Sequence, residues 1–213
     1  MTVTRARLSK ALRCYLVTDP GVESVERTVE ICRQSIDGGV TAIQLRAKGW
    51  PDRRALEAAL ALRALCAKAG VLFLVNDRVD LALASDADGV HLGVEDLPVE
   101  VARRLLGEEA IIGYSPEGER DRAEALRHGA DYLGVGPVYA TATKADAGPA
   151  LGVERFTEIV RSVDVPVIGI GGLKPDNARA VRDAGAAGFA VVSAIFYADD
   201  PAAAARAFNE VWQ

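Results

Sequence analysis

One phrase recurs along the chain and restricts the folds open to it: a helical pattern, a glycine, then a short apolar run rich in β-branched residues. It reads "SIDGGVTAIQL", "CAKAGVLFLVN", "LRHGADYLGVG" and "RDAGAAGFAVVS". Gly38, Gly70, Gly129 and Gly185 stand where a helix end favours a residue at positive φ. The runs are nearly continuous in apolar character rather than alternating, which predicts strands buried on both faces and therefore a parallel sheet covered by helices. Eight such runs fall near residues 13–17, 41–45, 71–75, 88–92, 110–114, 131–135, 166–170 and 187–192. Helical patterns lie between them, among them the stripe Val25, Val29, Cys32 and Ile36 and a helix opening at Pro175 and closing at Gly185. Eight strand–helix alternations without a linker predict a single (β/α)8 TIM barrel over residues 13–213, with 1–12 as an extension or extra helix. A doubly wound open sheet is the alternative, because counting repeats does not show closure.

At 213 residues the chain suits one domain with a substantial core. A formal net charge of −5 argues against non-specific nucleic-acid binding, which needs a broad basic surface. No apolar run approaches the roughly 18 residues needed to span a bilayer, so no membrane partner is expected. The opening "MTVTRARLSKALR" is basic but lacks the apolar stretch of a secretory signal. Cys14, Cys32 and Cys66 are scattered and odd in number, matching neither a disulfide framework nor a zinc site. They read as small core residues of a cytoplasmic protein; a catalytic thiol is the alternative, and no His lies near one in sequence.

In a barrel the chemistry gathers where the strands end. The first strand ends in "VTDPG", with Asp19 placed to cap the next helix. The second ends in "IQLRAKG", where Gln44, Arg46 and Lys48 alternate and share a face while the strand persists. Two cations and an amide at a barrel mouth suit a phosphate or carboxylate, against the alternative of a solvated charge pair. The third ends in "LVND", whose Asn76 and Asp77 are either a helix cap or part of the site. The fourth gives "HLGVED", with Asp96 and a His91 read as a satisfied inward-facing histidine. Asp77 and Asp96 on neighbouring strand ends, beside Arg46 and Lys48, suggest Mg²⁺ shared with a phosphorylated substrate. The fifth exposes Ser115 in "IIGYSP". The sixth runs into "GPVYATATKADAGPALG", which sets Thr141, Thr143 and Lys144 among small residues. The seventh and eighth, "IGIGGLKPDN" and "AVVSAIF", offer Gly171, Gly172 and the amides around Ser193 to a phosphate. Anion-binding groups on opposite sides of one mouth, with a metal on one side, imply two phosphorylated substrates.

Together "QLRAK", the "ND" of the third loop, "HLG" with "ED", "GPVYATATK", "IGIGG" and "AVVSAI" resemble thiamine phosphate synthase, in that family's order and from about residue 13 to 196. "QLRAK" and "TATK" after "GPVY" are the specific parts. The resemblance implies a transferase that joins 4-amino-2-methyl-5-(diphosphooxymethyl)pyrimidine to 4-methyl-5-(2-phosphooxyethyl)thiazole, yielding thiamine monophosphate and pyrophosphate with Mg²⁺. It implies that Gln44 meets the pyrimidine and that Arg46, Lys48, Asn76, Ser115 and Lys144 hold its diphosphate. Arg46, Lys48, Ser115 and Lys144 would serve catalysis, and Asp77 and Asp96 would bind the metal. Thr141, Thr143, Gly172 and the backbone of Val192 and Ser193 would hold the thiazole phosphate. A homo-oligomer is left open.

The chain departs from the family pattern at Val94, where Gln is common, and at Pro116 and Glu117, where a small residue and then His are frequent. A related thiazole tautomerase is the nearest rival, expected to use a His where Glu117 stands. A non-catalytic barrel that binds thiamine phosphate is the rival from another class.

Overall fold

The computed structural model describes residues 5–22, 24–141 and 148–213. Each foreseen apolar run meets one strand, β3 running one residue past its run: β1 (Cys14–Val17), β2 (Ala42–Leu45), β3 (Leu72–Asn76), β4 (Gly89–Leu92), β5 (Ile111–Tyr114), β6 (Tyr132–Val135), β7 (Val167–Ile170) and β8 (Gly188–Val191). All neighbours pair in parallel, and β8 returns to β1 with Leu16 opposite Val191, so the sheet is a closed barrel and not an open one. The helices are α1 (Arg5–Ala11), α2 (Val25–Asp37), α3 (Asp52–Ala69), α4 (Val79–Ala84), α5 (Val99–Leu106), α6 (Glu119–Arg127), α7 (Gly152–Arg161), α8 (Pro175–Asp183), α9 (Ser193–Phe196) and α10 (Pro201–Glu210).

The continuous apolar character of the strands has a two-sided cause. Leu16, Ile43, Val75, Val90, Ile112, Leu133 and Phe189 belong to the layer shared with helix residues such as Cys32, Leu62, Phe156, Val181 and Phe208. Alternate residues, Tyr15, Ala42, Leu74, Ile111, Tyr132, Ile168 and Ala190, form a separate cluster inside the barrel. Leu8 of α1 and Leu12 just after it join that inner cluster. The amide of Phe189 donates to the carbonyl of Arg13 at 3.1 Å, tying the same segment to β8. At the other end of the chain, Asn209 donates to the carbonyls of Gly38 and Gly39 at 3.2 and 3.0 Å, tying α10 to the turn that enters β2.

Three local expectations need adjusting. Gly70, Gly129 and Gly185 have φ of 68°, 92° and 97°, but Gly38 lies at −85° and the positive φ, 96°, belongs to Gly39. The α2 stripe turns further than expected. Val25 and Cys32 are buried together with Thr28, Ile31 and Ser35, whereas Val29 and Ile36 are partly buried at its margin. Ser24, not Asp19, caps α2, its Oγ accepting from the amide of Arg27 at 3.1 Å. Asp19 instead accepts from the amide of Gly21 at 2.8 Å, within its own turn. The three cysteines are buried and free, and burial pushes the thiols of Cys14 and Cys66 up to about 12 and that of Cys32 well above its ordinary value. Such thiols are inert at neutral pH.

The inner cluster has to accommodate two tyrosine rings, and a glycine makes the space. Gly113 pairs with His91 on one side and Tyr132 on the other. A Cβ there would fall on the Tyr132 ring, at Cζ, Cε1 and the hydroxyl. Gly113→Ala is therefore expected to destabilise the protein by about 3 kcal/mol or more, the upper range for overpacking a core. Gly148, whose added Cβ would meet nothing within 4 Å, supplies the control: Gly148→Ala should leave the urea midpoint unchanged.

Candidate active site

Because every strand runs the same way, all eight C-terminal ends meet at one rim. Gln44 lies in β2, buried, and its Nε2 donates to the Tyr15 hydroxyl at 2.7 Å. β2 ends at Leu45, so Arg46 and Lys48 stand on the following loop and do not continue the strand face. Thr18 holds that loop from β1: its Oγ1 accepts from the amide of Arg46 at 2.9 Å. Lys48 crosses to the next loop, its Nζ 3.4 Å from Oδ2 of Asp77. The lysine is mostly exposed, so the pair adds little to stability and acts chiefly through its field at the rim.

Asn76 is the last residue of β3, and neither it nor Asp77 caps α4; Arg78 occupies that position. Asp77 has φ of 63°. The left-handed region costs a residue with a Cβ roughly 1–2 kcal/mol, and such strain concentrates at functional sites. The amide of Asp77 donates to the carbonyl of His91 at 2.9 Å, so the β3–β4 ladder runs on into the loop and holds the turn. Oδ2 of Asp96 accepts from the amide of Gly93 at 2.7 Å, folding the β4 loop around that carboxylate. Desolvation first, then the hydrogen bond and negative charge of Asp96, push the Asp77 carboxyl up to about 6, and Lys48 only partly offsets this. Two carboxylates thus share a partly buried space. Hard oxygen donors in a pair suit Mg²⁺, which commonly takes one or two carboxylates and completes its shell with phosphate oxygens and water. Among the described residues no group of three or more His, Cys, Asp or Glu side chains is placed to hold a metal ion.

Ser115 follows β5, its amide donating to the carbonyl of Leu92 at 2.9 Å and its Oγ 2.8 Å from Nε2 of His91. His91 is satisfied, as the sequence suggests, with Nδ1 2.9 Å from the Tyr132 hydroxyl, and desolvation lowers its pKa to about 4. Across the barrel, Gly171 and Gly172 have φ of 92° and 63°. The amides of Val138 and Tyr139 donate to the carbonyls of Ile170 and Gly171 at 2.9 and 3.1 Å, which extends the β6–β7 ladder past both strands. A Cβ on Gly172 would lie 2.5 Å from the carbonyl oxygen of Ala140, so only glycine lets the two loops meet. This contact brings Thr141, one residue further on, close to the glycine turn. Val192 and Ser193 mark the end of β8 and the single turn of α9. Thr143 and Lys144 lie outside the described residues.

Four residues of this neighbourhood escape sequence reasoning: Thr18, Tyr15, Tyr132 and Asn177. Asn177 donates to the carbonyl of Gly172 at 3.0 Å and accepts from the amide of Lys174 at 2.9 Å, which pins the glycine turn to α8. The available cue for the tyrosines is their position within fully buried runs, where each hydroxyl must find a partner.

The carboxylate pair predicts a trade between stability and metal binding. A carboxyl whose folded pKa is near 6, against 3.8 as its ordinary value, costs stability when ionised and costs nothing once protonated in both states. Asp77→Asn, which also tolerates the left-handed backbone, should raise the metal-free Tm at pH 7.5 by roughly 2–4 °C, about 1 kcal/mol for a chain of this size. The gain should fade as pH falls from 6 to 4, as read by thermal melts in chelator.

The chain can be set beside known proteins on this geometry. Residues 14–195 match a family model described as thiamine monophosphate synthase. A thiamine-phosphate synthase of Moorella thermoacetica is 48% identical over 197 residues, covering 92% of this chain and 94% of that protein. One from Haloarcula marismortui is 50% identical over 198 residues, with 92% and 94% covered. A solved structure of thiamine phosphate pyrophosphorylase from Pyrococcus furiosus superimposes with a TM-score of 0.87 at 43% identity, covering 96% of each chain. The barrel, the order of its strand-end motifs and these likenesses agree: the chain belongs to the thiamine monophosphate synthase family and is a transferase of thiamine biosynthesis.

Proposed function

We propose that the barrel mouth joins 4-amino-2-methyl-5-(diphosphooxymethyl)pyrimidine to 4-methyl-5-(2-phosphooxyethyl)thiazole, giving thiamine monophosphate and pyrophosphate. The observation that carries this reading is the run Lys48–Asp77–Asp96 on three consecutive strand-end loops, with the Gly171–Gly172 turn on β7, four strands round the ring from β3. One sector suits a metal-bound diphosphate and the opposite sector a monophosphate on backbone amides.

Each residue then has a definable task. Gln44, anchored through Tyr15, presents its remaining amide groups to the aminopyrimidine. Arg46 and Lys48, with Lys144, stabilise the negative charge that grows on the diphosphate as the carbon–oxygen bond breaks, and Asn76 and Ser115 donate hydrogen bonds to it. The electron-donating amino group lets the pyrimidine carry positive charge on its exocyclic CH₂. Thr141, Thr143 and the amides around Gly171, Gly172, Val192 and Ser193 hold the thiazole phosphate, so the ring nitrogen is already aligned for attack and no side-chain nucleophile is required. Asp77 and Asp96 would hold Mg²⁺, which when bound neutralises charge on the diphosphate.

The test is direct. With both substrates and Mg²⁺ the protein should release pyrophosphate and form thiamine monophosphate, and chelator should stop both. Thiazole isomerisation without pyrophosphate, the tautomerase outcome, or binding of thiamine phosphate without turnover, would overturn the proposal. Asp77→Ala should cut turnover on the order of 100-fold while weakening thiazole phosphate binding far less. Equal losses would show that Asp77 does not serve the diphosphate side. Arg46→Ala should lower kcat/KM for the pyrimidine diphosphate by roughly 10- to 100-fold, the worth of a charge-assisted hydrogen bond, with the KM for thiazole phosphate unchanged.

A further inference from the structure

We propose that Tyr15, Tyr132 and His91 form a one-way hydrogen-bond relay from Gln44 to Ser115, which obliges the Ser115 hydroxyl to donate outward to the pyrimidine substrate's diphosphate. The inference deepens the function proposed above and rests on it for the identity of that anion. The five side chains form an unbroken line through the barrel interior. Gln44 Nε2 is 2.7 Å from the Tyr15 hydroxyl, which is 2.9 Å from that of Tyr132. Tyr132 is 2.9 Å from Nδ1 of His91, whose Nε2 is 2.8 Å from Oγ of Ser115. They sit on β2, β1, β6, β4 and the end of β5, so the line spans the barrel rather than following one strand.

Each member has few protons to give, and that fixes the direction. An amide nitrogen only donates, a phenol has one proton, and a neutral imidazole has one N–H and one acceptor nitrogen. With Gln44 donating to Tyr15, the Tyr15 proton goes to Tyr132 and the Tyr132 proton goes to Nδ1 of His91. The imidazole proton is then on Nε2 and is given to Ser115. Ser115, already accepting from inside, keeps its own proton free for a ligand at the rim. The opposite direction puts the His91 proton on Nδ1 and turns the Ser115 proton inward, leaving only lone pairs facing an anion that has no proton to offer. The outward order satisfies both ends, an amide donor at one and a phosphate acceptor at the other.

The surroundings preserve the line. Tyr15 and Tyr132 are fully buried, so water does not compete for their hydroxyls. Gly113 stands between His91 and Tyr132 in the register, and its missing side chain leaves the path across β5 open. A Cβ on Gly134 would lie 3.0 Å from Cε1 of His91 and 3.1 Å from Oγ of Ser115, crowding the last step. Both imidazole nitrogens meet hydroxyls, so one can accept from Tyr132 while the other donates to Ser115. Tyr15, Tyr132 and His91 are positioning residues: they act through Gln44 and Ser115.

The proton's location is measurable without substrate. In the full chain labelled with ¹⁵N-histidine, long-range ¹H–¹⁵N spectra at pH 7 should show His91 protonated on Nε2 and bare on Nδ1, with His128 as the second signal. A proton on Nδ1, or on both nitrogens, overturns the relay. Tyr132→Phe, or Tyr15→Phe should the first fail to fold, should lower kcat/KM for the pyrimidine diphosphate by about tenfold and leave the thiazole phosphate KM unchanged. In a Ser115→Ala background the same substitution should cost nothing further. Additive losses, or equal effects on both substrates, would show that the hydroxyls only support packing. Nε2 protonation in a protein that does not condense the two substrates would instead sink the proposed function and leave the relay's direction standing.

Discussion

Strands of four or five residues bury little on their own, and the closure of β8 onto β1 lets them hold together. With the ring shut, every strand has two hydrogen-bonded neighbours and no edge is left open to solvent or to another chain. The same closure fills the interior with alternate side chains and sends the others against the helices. It also gathers eight C-terminal ends on one rim, so groups distant in sequence, such as Lys48, Asp77 and Asp96, become neighbours. The ladders do not stop where the strands do. Backbone bonds continue from β1 and β2 to Thr18, whose hydroxyl takes the amide of Arg46, from β3 to Asp77, and from β6 and β7 into Tyr139 and Gly171. The site is therefore built on loops whose first residues are held as firmly as sheet.

The interior is not a plain apolar filling. Two tyrosines, a glutamine and a histidine occupy it, and in such surroundings a half-satisfied polar line would cost more than an apolar one. Here each member meets the next, and glycines stand where a side chain would interrupt. A polar line through a barrel core is costly to maintain unless it positions something at its ends. Gln44 and Ser115 are those ends. Burial and the neighbouring negative charge of Asp96 make the Asp77 carboxylate costly to ionise, and Lys48 only partly offsets this. The site gives up stability for charge placement.

Much of this was legible beforehand, for particular reasons. The strands could be placed because burial on both faces leaves continuous apolar runs, and their ends follow from glycines such as Gly70 and Gly185 that carry positive φ. Asp77 and Asp96 could be paired because neighbouring parallel strands put neighbouring loops side by side. Local geometry was harder to read. Gly38 and Gly39 are adjacent and chemically identical, so nothing local says which one turns left-handed. Arg46 and Lys48 looked like a strand face because alternation does not reveal where a strand stops.

The order of apolar runs and turn residues by itself determined the eight strands, the helices between them and the residues available at the strand ends, since each depends on a period of a few positions along the chain. Only the tertiary structure decided that β8 closes on β1, that Asn177 pins the glycine turn, and that Tyr15 on β1 reaches Tyr132 on β6. Those contacts join residues far apart in the chain, 117 positions for Tyr15 and Tyr132 and more for Leu16 opposite Val191, and a distance set by how the cylinder curves is written in no local pattern.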